Sequence, residues 1–214
     1  MPAVVLRATD PAAIDRAAAE LRAGQIVALP TETVYGLAVL PTAPAVERLI
    51  EAKRRSAEKG IQLLVDSVAQ AGSVAVLTPA AERLARRFWP GPLTVVLARR
   101  AGAGLPEIVG GGRPTVGLRL PDHAVPRALA RMLGPIAASS ANISGEPDAT
   151  TAERVIASLG DAVALVIDDG PVRGGVPSTV VDCSGGTVMV LREGALSRAT
   201  IEQAAGGRRL DSPE

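Results

Sequence analysis

Four polar clusters in this chain combine residue types and spacings that can bind charge. The first is Thr31-Glu32-Thr33, directly after the apolar run Gln25–Leu29 and Pro30. Ile26 and Val27 suit a buried strand, and Pro30 ends it because proline has no N–H for a ladder. Ligands of open α/β sheets sit beyond the carboxyl ends of strands, so these hydroxyls are candidates for a small polar ligand. A Thr-rich turn that satisfies its own backbone is the plainer account. The second cluster, Lys53-Arg54-Arg55, crowds the end of a helix expected over 43–54. Cations there either complement the helix dipole or offer positive charge to an anion. The third is Arg119, in the alternating stretch Thr115–Leu120. Gly117 beside it leaves room for the guanidinium to reach a ligand; an ion pair on an exposed face is the alternative. The fourth is SSANISG, Ser139–Gly145, at the end of a strand expected over 135–139. Ser140 and Asn142 can donate to phosphate oxygens there, or close an Asx/Ser turn.

Other chemistries are narrowed. His123 is the single histidine and reads as structural in a helix's first turn, so a Ser-His-Asp or Cys-His mechanism would rest on it alone. There is no G-x-x-x-x-G-K-[ST] and no G-x-G-x-x-G behind a strand. One cysteine, Cys183, excludes an internal disulfide and a four-cysteine zinc site and fits a cytosolic protein. A formal net charge of +1 excludes a strongly basic nucleic-acid arm as the main feature. No apolar run reaches the roughly 18 residues of a membrane helix. MPAVVLRATD lacks a basic region followed by an apolar core, so no signal peptide is read and a cytoplasmic location is expected.

The elements that must position these clusters follow from periodicity. Of the 214 residues 47% are apolar but only 1% aromatic, so Ala, Val and Leu must fill the core. Val4–Leu6 reads as a strand. Asp10 and Pro11 read as the start of a helix with Ile14, Ala17, Ala18 and Leu21 in one stripe and Gly24 at C′. Val46, Leu49 and Ile50 form the buried face of a second helix. Thr78 caps a third, reaching about Phe88, before the strand Leu93–Ala98. Residues 101–114 read as a Gly-rich loop. Val116, Leu118 and Leu120 then face one side of a strand, and Thr115, Gly117 and Arg119 the other. Asp122 is expected to cap a helix to about Leu133, and Thr150 with Glu153 another to Leu159. Strands follow at 164–167, 179–182 and 188–191, and Ser197 caps a last helix. This alternation predicts an α/β fold, a twisted mixed sheet flanked by helices with a concave polar cavity. Residues 1–207 are expected to form one domain and 208–214 a frayed tail.

Taken in order, several segments resemble the YrdC family, the threonylcarbamoyl-adenylate synthases. They are GQIVALPTETVYGLA at 24–38, KRRSAEKGIQLLV at 53–65, FWPGPLTVVL at 88–97, TVGLRLPDH at 115–123, SSANISG at 139–145, Ser178-Thr179 and Arg192-Glu193-Gly194. Ser56 stands where the family usually has proline, and Pro177 where it usually has glutamate. The resemblance runs from about 13 to 203, and with no further C-terminal extension it implies the short, single-domain form. It implies a YrdC-like architecture and a reaction of L-threonine, bicarbonate and ATP that yields threonylcarbamoyl-adenylate and pyrophosphate. By the same resemblance Lys53 and Arg55 are catalytic cations. With Lys59, Thr115, Ser140, Asn142 and Arg192 they bind ATP, and Thr31, Arg119, Ala138 and Ser178 bind threonine. Mg2+ is expected to bridge the phosphate oxygens, with its ligands unassigned. The product would pass to a downstream threonylcarbamoyl-transferase complex that modifies adenosine 37 of tRNA.

Two other readings stay open on the residues. The cluster Arg48, Lys53, Arg54 and Arg55 would suit the backbone of tRNA or double-stranded RNA in an RNA-binding or ribosome-assembly factor. A related enzyme acting on another carbamoyl substrate would use the same motifs.

Overall fold

With few aromatic side chains, the interior is filled by small aliphatic ones, and these let helices lie close on a long sheet. The computed structural model of the chain describes residues 3–206; the tail expected over 208–214 lies outside them. In chain order the elements are β1 (Val4–Arg7), α1 (Ala13–Arg22), β2 (Val27–Leu29), β3 (Gly36–Val39), α2 (Ala43–Ala52), β4 (Gln62–Leu64), α3 (Val68–Val74), α4 (Pro79–Phe88), β5 (Leu93–Ala98), β6 (Thr115–Arg119), α5 (Ala124–Leu133), β7 (Ile136–Ser140), α6 (Ala152–Leu159), β8 (Leu165–Asp168), β9 (Thr179–Asp182), β10 (Met189–Arg192) and α7 (Arg198–Ala205). The strands make one twisted mixed sheet in the order β1-β8-β2-β3-β7-β4-β6-β5-β9-β10.

The two faces of this sheet have different fates. Val27, Leu29, Ala38, Ile136, Leu165 and Ile167 pack with Ala17, Ala18 and Leu21 of α1 and Val125 and Leu129 of α5. Alternate residues of the same strands, such as Ala28, Leu37 and Val39, turn to the opposite face. There they join Leu63, Val95, Val116 and Leu118 in a larger core with Val46 and Leu49 of α2, Leu84 of α4, Val155 of α6 and Ile201 of α7. Because side chains alternate at period two, β6 buries Val116 and Leu118 in that core and turns Thr115, Gly117 and Arg119 the other way. The face covered by α1 and α5 at one end of the sheet is left open over β4, β6, β5 and β9.

Several boundaries differ from those expected. The first helix begins at Ala13, because Asp10 uses its carboxylate in a turn, accepting from Ala12 N–H at 2.8 Å. His123, not Asp122, caps α5, with Nδ1 accepting from Val125 N–H at 3.2 Å. Thr151, not Thr150, caps α6, accepting from Arg154 N–H at 3.3 Å. At α5 and α6 a neighbouring polar residue caps equally well, so composition fixes the site but not the residue, while α1 has Ala12 as its N-cap residue and no side-chain cap. Thr78 and Ser197 do cap α4 and α7. The sequence reading has no counterpart for β3, β4 and α3. Tyr35, at the entrance to β3, donates its buried hydroxyl to Gly170 O at 2.8 Å and accepts from Asp169 N–H at 3.1 Å. Burial pushes this phenol up to about 12.

Helix α2 ends in a turn that aims the basic cluster. Arg54 N–H bonds Glu51 O at 2.9 Å and Arg55 N–H bonds Ile50 O at 3.0 Å. This is a Schellman pair, and it requires a left-handed residue at C′. Here that residue is Arg54, the only non-glycine among the described residues with positive φ, at 49°. Lys53 and Arg55, on either side, therefore leave the helix in different directions. Replacing Arg54 by glycine removes the Cβ penalty of that conformation, so Arg54→Gly should stabilise the chain by up to about 1 kcal/mol in urea unfolding; a loss of stability would mean that the Arg54 side chain itself supports the turn.

A close backbone approach fixes Ser178, the residue that leads into β9. A Cβ on Gly194 would lie 2.7 Å from Ser178 C and O, and nearer still to Pro177 O. Gly194 N–H also donates to Thr179 Oγ1 at 3.0 Å. Gly194→Ala should thus cost about 1–3 kcal/mol, as overpacking does; an unchanged urea midpoint would show that this junction yields freely.

Candidate active site

The open face of the sheet holds a cavity of about 390 Å3, within the range of small-molecule sites. Its floor is made by outward-turned residues of adjacent strands: Gln62 of β4, Gly117 and Arg119 of β6, Thr94 and Val96 of β5, Val180 and Asp182 of β9. Ala138, Ser139 and Ser140 of β7 form one wall. Arg55, Lys59 and Gly60, from the segment after α2, form another with Arg113, while Ser178 and Arg192 close the far end. Of the eleven residues singled out in the sequence, the cavity brings together Arg55, Lys59, Thr115, Arg119, Ala138, Ser140, Ser178 and Arg192. Thr31, Lys53 and Asn142 do not line it.

Each guanidinium is tied to main-chain oxygens. Arg55 donates from Nη2 to Gly60 O at 3.0 Å and Lys59 O at 3.3 Å. Its Nε is buried without a partner. Arg192 donates to Ser178 O at 2.7 Å. Arg119, only 3% exposed, donates to Thr33 Oγ1 at 2.9 Å and Gly91 O at 3.3 Å. Glu32 Oε1 lies 2.8 Å from Arg119 Nη2, yet neither Glu32 oxygen accepts a hydrogen bond. The approach lies off the N–H axes, so the pair is a charge contact only. Burial, then repulsion from Arg192, holds Arg55 below the usual arginine range. Arg192 is lowered by burial and by Arg119, against a partial rescue from Asp148. Five cationic side chains thus line the cavity against one carboxylate, Asp182. Such a site favours a polyanion.

The three residues outside the lining are committed elsewhere. Thr31 donates to Val34 O at 2.6 Å and accepts from Thr33 and Val34 N–H, each at 3.2 Å. It holds the turn that sets Thr33 and Glu32 against Arg119. Asn142 accepts the Ser140 hydroxyl at 2.6 Å and donates to Glu146 O at 2.6 Å. Lys53, 1% exposed, donates to Ser140 O, to Asn142 O at 2.6 Å and to Asn142 Oδ1 at 3.1 Å. Burial and the neighbouring Arg55 push its ammonium down to about 8.

The sequence reading named Glu32 only as a member of the Thr31–Thr33 cluster, and it missed Gln62, Thr94, Arg113 and Asp182. Thr94 and Asp182 lie at alternating positions of strands that were expected, so their facing was available once neighbours were known. Thr94 donates to Gln62 Oε1 at 2.7 Å and meets Ser178 Oγ at 2.8 Å. Gln62 lies on the unforeseen β4, and Arg113 in a loop without periodicity. Among the described residues no three His, Cys, Asp or Glu side chains converge as metal ligands.

The Sua5/YciO/YrdC family model, described as telomere recombination, matches residues 19–194. Over 201 residues the chain is 40% identical to a threonylcarbamoyl-AMP synthase of Bacillus subtilis (strain 168), covering 92% of this chain but 58% of that one. It is 38% identical over 181 residues to a threonylcarbamoyl-AMP synthase of Pseudomonas fluorescens (strain Pf0-1), covering 82% of this chain and 95% of that one. The crystal structure of Pyrococcus abyssi Sua5 complexed with L-threonine matches with a TM-score of 0.90 and 39% identity, over 99% of this chain and 63% of that one. The chain therefore spans less than two thirds of the Bacillus and Pyrococcus relatives and nearly all of the Pseudomonas one. A fold and a run of sequence shared with these proteins, and a family model that covers most of the chain, make it a member of the Sua5/YciO/YrdC family.

Proposed function

We propose that the chain is a threonylcarbamoyl-AMP synthase acting in the cytoplasm. It would join L-threonine, bicarbonate and ATP and release pyrophosphate. The observation that carries this reading is the gathering of Arg55, Lys59, Arg119 and Arg192 around one concave cavity, in a chain that superposes on a relative solved with L-threonine.

The physics suits the residues. Threonine's amine and bicarbonate condense to a carbamate with loss of water, and the carbamate oxygen is already anionic and needs no strong base to attack. That oxygen bonds the α-phosphorus of ATP as the α–β bridging P–O bond breaks and pyrophosphate leaves. Two anions must be brought together, which calls for fixed cations and hydrogen-bond donors. Arg55, Lys59 and Arg192 are placed for the triphosphate, and Arg119 with Ser178 for the threonyl carboxylate and carbamate. Mg2+ would arrive on the phosphate oxygens, since the cavity lining supplies only Asp182 as a carboxylate. The adenylate would feed a transferase complex that modifies adenosine 37 of tRNA.

The RNA-binding reading loses half of its cluster. Of its four cations, Lys53 is sealed and Arg55 turns into the cavity, which leaves the exposed Arg48 and Arg54.

Purified chain should release pyrophosphate from ATP only when L-threonine and bicarbonate are both present; release without threonine, or none at all, defeats the reading. The two ends of the cavity should separate kinetically. A charge-assisted bond contributes about 1.5–3 kcal/mol, roughly tenfold or more in affinity. Arg192→Ala should therefore raise the KM for ATP at least tenfold, and Arg119→Ala the KM for threonine by as much. Equal effects of both changes on both substrates would show that the assignment of the two ends is wrong.

A further inference from the structure

Of the 23 lysine and arginine residues in the chain only two are lysines, Lys53 and Lys59, and both sit in the segment beside the cavity. Their surroundings are opposite. Lys59 is exposed, lines the cavity, and its ammonium has no hydrogen-bond or ion-pair partner among the described residues. Lys53 is sealed beneath the cavity wall. Three oxygens, Ser140 O, Asn142 O and Asn142 Oδ1, take the three protons of its ammonium. Its own carbonyl accepts from Ser144 N–H at 2.9 Å. Main chain and side chain of Lys53 are thus both bound to the 140–144 segment, and no donor is left for a ligand.

We propose that Lys53 is a positioning residue that straps the Ser140–Ser144 loop and takes no phosphate, and that Lys59 is the ammonium which meets the triphosphate. The residue type fits this division. An ammonium is a compact charge with three tetrahedral donors, matched here by three convergent oxygens, whereas a planar guanidinium would not fill such a cup. The strap acts on the site through Ser140. Lys53 and the Ser140 hydroxyl share Asn142 Oδ1, and Asn142 in turn grips Glu146 O, so the Ser140 side chain at the cavity wall is fixed by groups outside it. The assignment of Lys59 rests on the synthase reading; the strap does not.

With two lysines, the wild-type chain can be probed directly. Limited acetic anhydride at pH 8, read by peptide mass spectrometry, should acetylate Lys59 at least tenfold faster than Lys53. A low ammonium pKa leaves much of Lys53 as free amine at that pH, so its inertness reports burial. ATP with Mg2+ should slow Lys59 at least threefold and leave Lys53 unchanged. Acetylation of Lys53 at a rate within twofold of Lys59, or its protection by ATP, overturns the proposal. Protection of neither lysine by ATP, with Lys53 still inert, keeps the strap and overturns the nucleotide assignment. In Lys53→Met, ATP affinity should fall at least tenfold while threonine affinity stays within twofold. The slope of log affinity for ATP against log salt should match the wild type; a slope reduced by about one charge would place Lys53 on the phosphates. The labelling needs no variant, so it decides the matter even where Lys53→Met does not fold.

Discussion

Like charges repel, and this fold holds Arg55, Arg119 and Arg192 around one cavity. That is the constraint on which the surrounding structure depends. Neutralising each guanidinium with a buried carboxylate would remove the positive field a polyanion needs. The chain instead anchors its cations mostly on peptide dipoles: Arg55 on Lys59 O and Gly60 O, Arg192 on Ser178 O, Arg119 on Gly91 O with the Thr33 hydroxyl. Carbonyl oxygens orient a guanidinium without cancelling its charge. Glu32 is the partial exception, and its contact with Arg119 is a charge contact without a hydrogen bond. Burial first, and then repulsion from a neighbouring arginine, lowers both Arg55 and Arg192.

Holding carbonyls in such positions demands tight turns, and the turns account for the odd backbone features nearby. Arg54 takes the left-handed conformation so that Arg55 can turn back onto its own loop. A Cβ on Gly111 would lie 2.7 Å from Gly60 N, so the loop carrying Lys59 and Gly60 rests against bare backbone. Gly194 lets the chain after β10 return against Ser178. These are costs placed at a site rather than in the core, where Leu63, Val95 and Leu118 pack without such demands.

How far the sequence reveals this differs by kind of signal. Periodicity over long runs was legible: α4 and β5 fall on their expected bounds, and the alternation of β6 assigned Arg119 to the face opposite Val116 and Leu118. Short elements were not. β3 and β4 have four and three residues, too few for a period to stand out, and both are buried on two sides. The same limit hid Gln62. For the site, residue type pointed to segments that border the cavity, while direction escaped it. Lys53 and Arg55 are two positions apart with similar chemistry, and only the sign of φ at Arg54 between them decides which enters the cavity. Thr31 and Asn142 belong to polar clusters near the cavity, and their side chains bond within local turns, which composition alone does not reveal.

The unequal use of arginine and lysine follows from what each cation does. An arginine keeps its charge at any physiological pH and can be tethered through one nitrogen of its fork, as Arg55 is through Nη2. That suits a wall that must be rigid and charged at once. A lysine concentrates its donors on one atom, so it is either fully consumed or fully free. Both conditions occur within seven residues of this chain: Lys53 gives its ammonium to three oxygens, and Lys59 stands exposed at the cavity. Between Lys53 and Arg55 it is the left-handed residue Arg54, and no difference in charge, that parts a sealed cation from one that lines the cavity.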